Sequence, residues 1–261
     1  MQMISAAKLN RIDKILFASR PYLVRMGKLF NNLIKNANIE HNPFFEKRLS
    51  VQHSLLCVIT SDSGLCASYN TNILRLSEEF IRQKGKDKIR LITIGRKGFS
   101  HFKSRGYQII NSYIGFNGRY SHKICSEIAQ ELIKLFLNNE VDEIYVAYTN
   151  FQNALVHKPQ IKKFLNLEAE DTVSIQYIAE PSIEEIVERL LPEYILIKLR
   201  LMLLEAFTSE HAARTVAMKA ATDNAKELLQ KLILLRNKVR QAQITQELTE
   251  IISSTEALKG H

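Results

Sequence analysis

Residues 193–225 read EYILIKLRLMLLEAFTSEHAARTVAMKAATDNA, and they begin a segment without glycine or proline before Gly260. Because these two residue types are the usual breakers of helices, the segment predicts one long helix over about 193–258. At a rise of 1.5 Å per residue, about 66 helical residues extend about 100 Å, several times the diameter of a small domain. Much of such a helix must therefore face another helix or a partner protein.

Residues at both ends of the chain, apolar except for Ser19, recur at alternating steps of three and four, which is the pattern of a coiled-coil seam. The first seam belongs to a helix predicted over about 1–38, in which Pro21 is expected to kink the helix or interrupt its hydrogen bonds. The segment between the seams returns the chain to its start, so the two helices are predicted to pair antiparallel. The seams consist of Leu9, Ile12, Leu16, Ser19, Leu23, Met26, Phe30 and Leu33, and of Met218, Ala221, Ala225, Leu228, Leu232, Leu235, Val239 and Ala242.

The middle of the chain, about 51–190, changes to short apolar runs rich in strand-forming residues. Helical patterns separate the earlier runs, and this alternation predicts a mainly parallel sheet. The connection over about 150–171 shows no regular pattern. The predicted strands cover 54–60, 88–94, 107–114, 143–148 and 172–178, and the predicted helices between them cover 71–84, 97–105 and 121–138.

The predicted fold class is therefore α/β, with an antiparallel coiled coil of the N- and C-terminal helices flanking a Rossmann-like, mainly parallel α/β domain. The predicted domains are an N-terminal helix over 1–50, an α/β body over 51–192 and a C-terminal helix over 193–261.

Composition narrows the class of protein. Hydrophobic residues make up 46% of the chain, which is typical of a globular protein rather than a disordered one. The sequence contains no run of about 18 apolar residues, so no membrane span is predicted, and no signal peptide is recognisable. Cys57, Cys66 and Cys125 are odd in number and form no C-x-x-C pair, which favours free thiols in an intracellular compartment.

Basic residues are concentrated at the N-terminus. The chain has a formal net charge of +9, and residues 1–50 carry nine basic and three acidic side chains. A basic helix can track the phosphates of a nucleic acid, so a coiled-coil nucleic-acid adaptor is one hypothesis. No standard nucleic-acid motif accompanies the charge.

The loop Ser61–Asn70, SDSGLCASYN, is the sharpest candidate for chemistry, because it follows the first predicted strand. Such a loop is where an α/β sheet binds phosphate or places a nucleophile, so an autonomous α/β nucleotide-binding protein is an alternative hypothesis. The loop matches neither G-x-G-x-x-G nor a Walker A motif, and turn and cap chemistry is the favoured interpretation. Cys66 would act as a nucleophile only beside a base, and the favoured interpretation is that it is a small residue packed behind the loop.

The histidines have no metal-ligand spacing, and no set of residues supplies a complete active site. Neither a metal nor a cofactor is predicted. By contrast, residues 240–251, RQAQITQELTEI, place polar groups on almost every face of the last helix. This suits a surface that meets several partners, or one partner in several orientations.

The motifs SEHAARTVAMKAATDNA and RQAQITQELTEI resemble the C-terminal signature of the γ subunit of F-type ATP synthases. MQMISAAKL, ASRPY, the SDSGLCASYN loop and LLPEYI are also similar to that family, and the resemblance covers essentially the whole chain. It implies a central rotor shaft without an active site of its own. The implied partners are the α and β subunits of the catalytic hexamer, the ε subunit and the c-ring, with no nucleic acid.

The resemblance also implies a location. Membrane association would be indirect, through the c-ring, on the cytoplasmic face of the bacterial plasma membrane, with the mitochondrial matrix face as the alternative. Family members usually begin about twenty residues earlier, so either the start is placed too late or the N-terminal helix is shortened. Of these alternatives, the expectation is that the gene product extends upstream of Met1.

The resemblance carries over to individual residues as partner contacts, not as catalytic groups. The loop departs from the family's SDRGLCGGFN at positions that include Ser63, Ala67 and Ser68, and the loss of an arginine weakens the case for contacts made by the loop. The implied contacts with the catalytic hexamer are Met1, Arg240, Gln241, Thr245 and Glu247, and the candidate contacts of the loop are Ser61, Asp62, Gly64, Leu65 and Cys66.

Overall fold

The computed structural model describes residues 1–36, 42–45, 51–167, 180 and 182–259. The chain divides into two compact units, Met1–Val216 and Ala217–His261. The helices are α1 (Gln2–Asn36), α2 (Tyr69–Lys84), α3 (Arg96–Ser104), α4 (His122–Leu137) and α5 (Ile183–Lys259), and Lys86–Lys88 form a 3₁₀ turn. The strands are β1 (Ser54–Ile59), β2 (Ile89–Ile94), β3 (Ile109–Tyr113), β4 (Glu143–Phe151) and β5 (His157–Leu165).

The first unit contains one five-stranded sheet in the order β3-β2-β1-β4-β5. The first four strands are parallel, as predicted, and β5 runs antiparallel to β4 at the edge. The predicted irregular connection over 150–171 is wrong over much of its length, because it contains the end of β4 and the whole of β5. Its pattern is weak because an edge strand accepts Pro159 and alternates poorly between polar and apolar residues. The predicted strand 172–178 lies outside the described residues.

Strand β1 lies at the centre of the sheet, and all six of its residues are buried. Because successive strand residues point to opposite faces, β1 contributes to two cores. Leu55, Cys57 and Ile59 pack in the larger core, with residues of α1, α4 and α5. Leu56 and Val58 pack in the smaller core, with residues of α2 and α3.

Helix α1 runs antiparallel to the first part of α5, which confirms the predicted pairing of the terminal helices. The rings of Phe30 and Tyr194 stack at 4.1 Å, and farther along Arg20 lies 3.2 Å from the carboxylate of Glu205. Helix α1 continues through Pro21. Helix α5 begins at Ile183, upstream of the predicted start near 193. Four residues of the N-terminal seam are buried, namely Ile12, Leu16, Phe30 and Leu33.

The second unit consists of the C-terminal part of α5, and every described side chain from 219 to 255 is exposed except that of Asn237. Apolar residues of the predicted C-terminal seam are among these exposed side chains. Within residues 217–255 the exposed large apolar side chains are Leu228, Leu229, Leu232, Ile233, Leu234, Leu235, Val239, Ile244, Leu248, Ile251 and Ile252.

Candidate functional site at the β1 loop and helix α5

The loop after β1 lies where the order of the strands reverses. From β1 the chain proceeds to β2 and β3 on one side of the sheet, and it then returns to place β4 on the other side. In open α/β sheets, ligands bind in the crevice outside the carboxyl ends of the strands at this kind of position. The loop predicted from the sequence therefore occupies the position at which a Rossmann-like sheet would hold a nucleotide.

Asp62 organises the polypeptide around this crevice. Its Oδ1 accepts hydrogen bonds from the backbone N–H of Arg96 at 3.0 Å and of Gly115 at 3.1 Å, and its Oδ2 accepts one from the N–H of Asn117 at 2.7 Å. The first bond satisfies an N–H at the start of α3, which has no partner inside the helix. Asp62 thus has a cap and turn role that joins three loops.

Arg214 of α5 holds the same loop from the other side. Its Nε donates to the carbonyl of Gly64 at 3.2 Å, and its Nη2 donates to the carbonyl and the hydroxyl of Ser63 at 3.2 and 3.1 Å. The same Nη2 contacts Oε1 of Glu210 at 2.8 Å, one helical turn earlier. Glu210 and Arg214 are both buried, with 1% and 8% of their surfaces exposed. We call these two residues, with Ser63 and Gly64, the loop clamp.

Burial shifts the pKa values of Glu210 in the loop clamp and of the adjacent His211. Burial raises the pKa of Glu210 to about 7, although the guanidinium of Arg214 acts to lower it. Oε2 of Glu210 has no hydrogen-bond partner among the described residues, so one oxygen of this carboxyl is buried without compensation. Burial also lowers the pKa of His211 to about 4, which keeps this imidazole neutral near pH 7.

His211 connects α5 to the loop that follows β3. Its Nε2 lies 3.0 Å from the carbonyl of Gly118, and a side chain on Gly118 would come within 2.3 Å of that nitrogen. Glycine is therefore required at 118 because of close approach, as well as for its positive φ of 67°. A neighbouring hydrogen bond also connects α5 to the β1 loop region, since the hydroxyl of Tyr69 donates to the carbonyl of Ala206 at 3.0 Å.

Cys66 is buried where the β1 loop meets α5, and it packs against Tyr69 and Ala213. Burial raises the pKa of its thiol, and its sulfur accepts a hydrogen bond from Nδ2 of Asn70 at 3.1 Å. A protonated, buried thiol is a poor nucleophile, so the geometry favours the packing role. The groove beside the loop, lined in part by Cys66, Tyr69 and Ala213, has a volume of about 110 Å³. Pockets for small-molecule ligands usually measure about 300–1,000 Å³.

The structure brings the predicted loop residues together with α5, and it places the other predicted contacts, apart from Met1, in the second unit. Ser61, Asp62, Gly64 and Cys66 surround the crevice, while Leu65 points outward and is 61% exposed. The remaining predicted contacts are exposed: Met1 immediately before α1, and Arg240, Gln241, Thr245 and Glu247 in the C-terminal part of α5.

Sequence reasoning missed the link between the loop and Arg214. The motif SEHAAR contains small residues suited to close helix packing, and these predict a packing role without indicating a role for its charged members. A signal was nevertheless present. Glu210 and Arg214 are spaced four residues apart, so they lie on one face of a helix and can form an ion pair. The spacing does not show whether this face of the helix is buried.

Two other kinds of feature are absent from the described residues. No group of three or more histidine, cysteine, aspartate or glutamate side chains there is arranged to hold a metal ion. None of the described helices combines the length and the apolar character needed to cross a membrane.

Comparison with known proteins links this architecture to one family. A family model described as ATP synthase matches residues 1–258. The ATP synthase gamma chain of Geobacter metallireducens is 38% identical over 266 residues, which cover 100% of this chain and 92% of the relative. The gamma chain of Geotalea uraniireducens is 36% identical with the same coverage, and that of Desulfitobacterium hafniense is 38% identical over 99% of this chain and 92% of its own length.

Solved structures show the same fold. A chain of the central stalk and c-ring structure of the Tetrahymena thermophila mitochondrial ATP synthase has a TM-score of 0.67 at 22% identity, covering 85% of this chain and 97% of its own. A chain of the Euglena gracilis mitochondrial ATP synthase in rotational state 3 has a TM-score of 0.62 at 18% identity, covering 98% of this chain and 94% of its own.

Proposed function

This chain belongs to the γ chain family of ATP synthases, and on that premise we propose that it is the central-stalk rotor subunit of an F-type ATP synthase. In this role it couples ion-driven rotation of the c-ring to ATP synthesis or hydrolysis in the catalytic αβ hexamer. The full-length match to relatives named ATP synthase gamma chain supports the role.

The exposed C-terminal part of α5 is the observation that carries the proposal. Monomeric proteins rarely expose contiguous apolar patches larger than a few hundred Å², and larger patches usually mark binding sites. Residues 228–235 alone present six exposed leucine and isoleucine side chains. Polar residues then occupy 240–251, which suits contact with successive partners better than permanent burial in one core.

The loop clamp supports the mechanical side of the proposal. A rotor transmits torsion only if its helices are joined firmly to its body. Arg214 donates four hydrogen bonds from a buried position, and breaking them would leave polar groups unsatisfied away from water. Within residues 1–216, a twist applied to α5 is therefore resisted by the loops at the carboxyl end of the sheet.

We further propose that the chain is not itself catalytic. The crevice at which a Rossmann-like sheet would bind a nucleotide is occupied by Glu210, His211 and Arg214 of the chain's own helix. The proposed partners are the α and β subunits, the ε subunit and the c-ring. The proposed location is peripheral, on the cytoplasmic face of a bacterial plasma membrane.

The proposed contacts with the catalytic hexamer are Met1, Arg240, Gln241, Thr245 and Glu247. A test reconstitutes the full chain with α and β subunits and measures co-elution and ATPase activity. We expect co-elution of the native chain, and we expect Arg240→Ala with Gln241→Ala to lower ATPase activity of the assembled complex about tenfold, because interface anchors contribute about 1 kcal/mol or more each. The matched control is Lys219→Ala with Asn224→Ala on the same exposed helix.

Two outcomes would contradict the proposal. One is a chain that elutes alone when mixed with α and β subunits that assemble with another γ chain. The other is nucleotide-induced thermal stabilisation of the isolated chain that is lost on substitution of Ser61 or Asn70, since this would favour the alternative of a nucleotide-binding loop.

A further inference from the structure

A separate concave site lies between α1 and the loop after β3. Its cavity has a volume of about 250 Å³. The charged residues that line it are all cationic: Lys8 and Arg11 from α1, and Arg119 from the loop. Within the described part of the chain, none of the three makes an ion pair with an acidic side chain. The remaining lining residues are Ile12, Ile15, Gly118 and Tyr120.

The three cations are carried on backbone that the fold holds in place. Arg119 follows a turn in which its own N–H donates to the carbonyl of Phe116 at 2.9 Å. The same loop is fixed by Asp62 through Asn117 and by His211 through Gly118. On the other wall, α1 is anchored by buried Ile12 and Leu16. Folding has therefore already brought the cationic positions together, which lowers the entropic cost of binding a ligand.

The electrostatics favour an anion at this place. Like charges converge from two elements, and an anion between them would relieve their repulsion. Two acids lie near the site: Asp62 accepts backbone hydrogen bonds, and Glu210 pairs through Oε1 with Arg214 while its charge also acts on Lys8. Neither forms an ion pair with a cation of the pocket. Asp13 does not face Arg11, because residues two apart lie on opposite sides of a helix.

The chemistry of the donors specifies the class of anion. Two guanidinium groups offer forked donors that match the paired oxygens of a phosphate, and Lys8 adds a point charge. Apolar walls from Ile12, Ile15 and Tyr120 exclude part of the solvent, which strengthens such contacts. We propose that the pocket formed by Lys8, Arg11 and Arg119 binds a phosphate-type oxyanion. The proposal does not depend on the rotor role.

The test measures binding of inorganic phosphate to the full chain by calorimetry, at constant ionic strength adjusted with chloride because salt screens exposed charges. We expect saturable binding by the native chain. Arg119→Gln and Arg11→Gln should each weaken it about tenfold or more. The matched controls are Lys14→Gln and Arg25→Gln, which remove the same charge from exposed positions of α1 outside the pocket, and they should change affinity less than about twofold.

Two further arms complete the design. In the first, ADP and ATP are titrated in parallel with phosphate. If a nucleotide binds more tightly than phosphate and loses this affinity in the pocket variants, the ligand is a nucleotide phosphate. If phosphate binds more tightly, the ligand is the free ion. Tyrosine fluorescence melting without phosphate verifies that each variant is folded. The proposal is overturned if phosphate does not saturate the native chain, if the controls lose as much affinity as the pocket variants, or if poly-glutamate binds there and phosphate does not.

Discussion

Two of the ion pairs along helix α5 have the same spacing but lie in different environments. Glu210 and Arg214 lie 2.8 Å apart with 1% and 9% of their side chains exposed. Glu227 and Lys231 lie 2.6 Å apart with 64% and 70% exposed. The first pair is part of the loop clamp, and the second faces solvent. Sequence spacing makes both pairs possible, but the surroundings decide how much each contributes to stability.

The largest expected difference follows from removing one member of each pair. Arg214→Ala leaves the carboxyl of Glu210 buried without its partner, so we expect the free energy of unfolding to fall by about 3–5 kcal/mol. Lys231→Ala should change it by no more than about 0.5 kcal/mol, because exposed pairs are screened by water. Urea unfolding followed by tyrosine fluorescence reports on the first unit, since no tyrosine follows Tyr194, and circular dichroism at 222 nm also reports on the helical segment that contains Lys231. Equal effects of the two substitutions would refute the contrast.

Apolar residues allow the same comparison without charge. Leu203 is fully buried in the larger core, whereas Leu235 is 57% exposed. Leu203→Ala should cost about 2–5 kcal/mol through lost burial and the cavity that remains. In the isolated chain, Leu235→Ala should stay within about 0.5 kcal/mol. Thermal unfolding by circular dichroism measures both, and a large loss for Leu235→Ala would show that this residue is covered in the free chain.

The dependence of stability on pH tests the buried pair further. The folded pKa of Glu210 is about 7, above its ordinary 4.5, so the folded chain keeps a proton that the unfolded chain has released. Its contribution therefore makes the free energy of unfolding fall as pH rises from about 4.5 to about 7, with no further change above that range. Glu210→Gln should remove this slope, and Glu227→Gln should not.

His211 acts in the opposite direction and has to be separated. Its folded pKa of about 4 lies below the ordinary 6.5, so its contribution to stability is complete above pH 6.5 and is lost as pH falls towards 4. Urea midpoints of the native chain and the Glu210→Gln variant, measured from pH 4.5 to 8, isolate the carboxyl because both proteins contain His211. Parallel curves for the two proteins would contradict the assignment.

The smallest expected effect concerns one alanine in the loop and one in the helix. Ala67 has a φ of 47°, in the left-handed region where a side chain is unfavourable. Ala67→Gly should stabilise the chain by about 0.5 kcal/mol, since the relief of strain is partly offset by a more flexible unfolded state. Ala225→Gly, in the exposed part of α5, should destabilise that helix by about 1 kcal/mol. Melting curves at 222 nm would refute the argument if both substitutions had the same sign.

Much of the fold was predictable because its elements have strong local patterns. Strand β1 is a run of apolar strand formers, and α4 shows a clear helical period, so both were predicted to within one or two residues. Strand β5 was missed because its lysines and Pro159 follow the rules of a sheet edge, where one side of the backbone needs no partner. Its pairing with β4 depends on contacts that no local pattern encodes.

The candidate site was only half predictable for a similar reason. The loop at 61–70 could be located, because a polar stretch after a buried strand marks the carboxyl end of a sheet. Its partner Arg214 is about 150 positions away along the chain, and sequence spacing carries no information over such a distance. The cationic pocket likewise joins Lys8 and Arg11 to Arg119 across more than a hundred positions.

The sequence by itself determined the long helices at the two ends, the alternating middle and the family, because each depends on local composition or on motifs that can be read residue by residue. Only the tertiary structure decided that four residues of the α1 seam are buried in the first unit, where α1 packs on the first part of α5, while the seam residues from Ala221 to Ala242 are exposed. The physical reason is that the periodicity of a helix determines only which residues share a face. Burial depends on what that face meets, and this is set by contacts between distant parts of the chain.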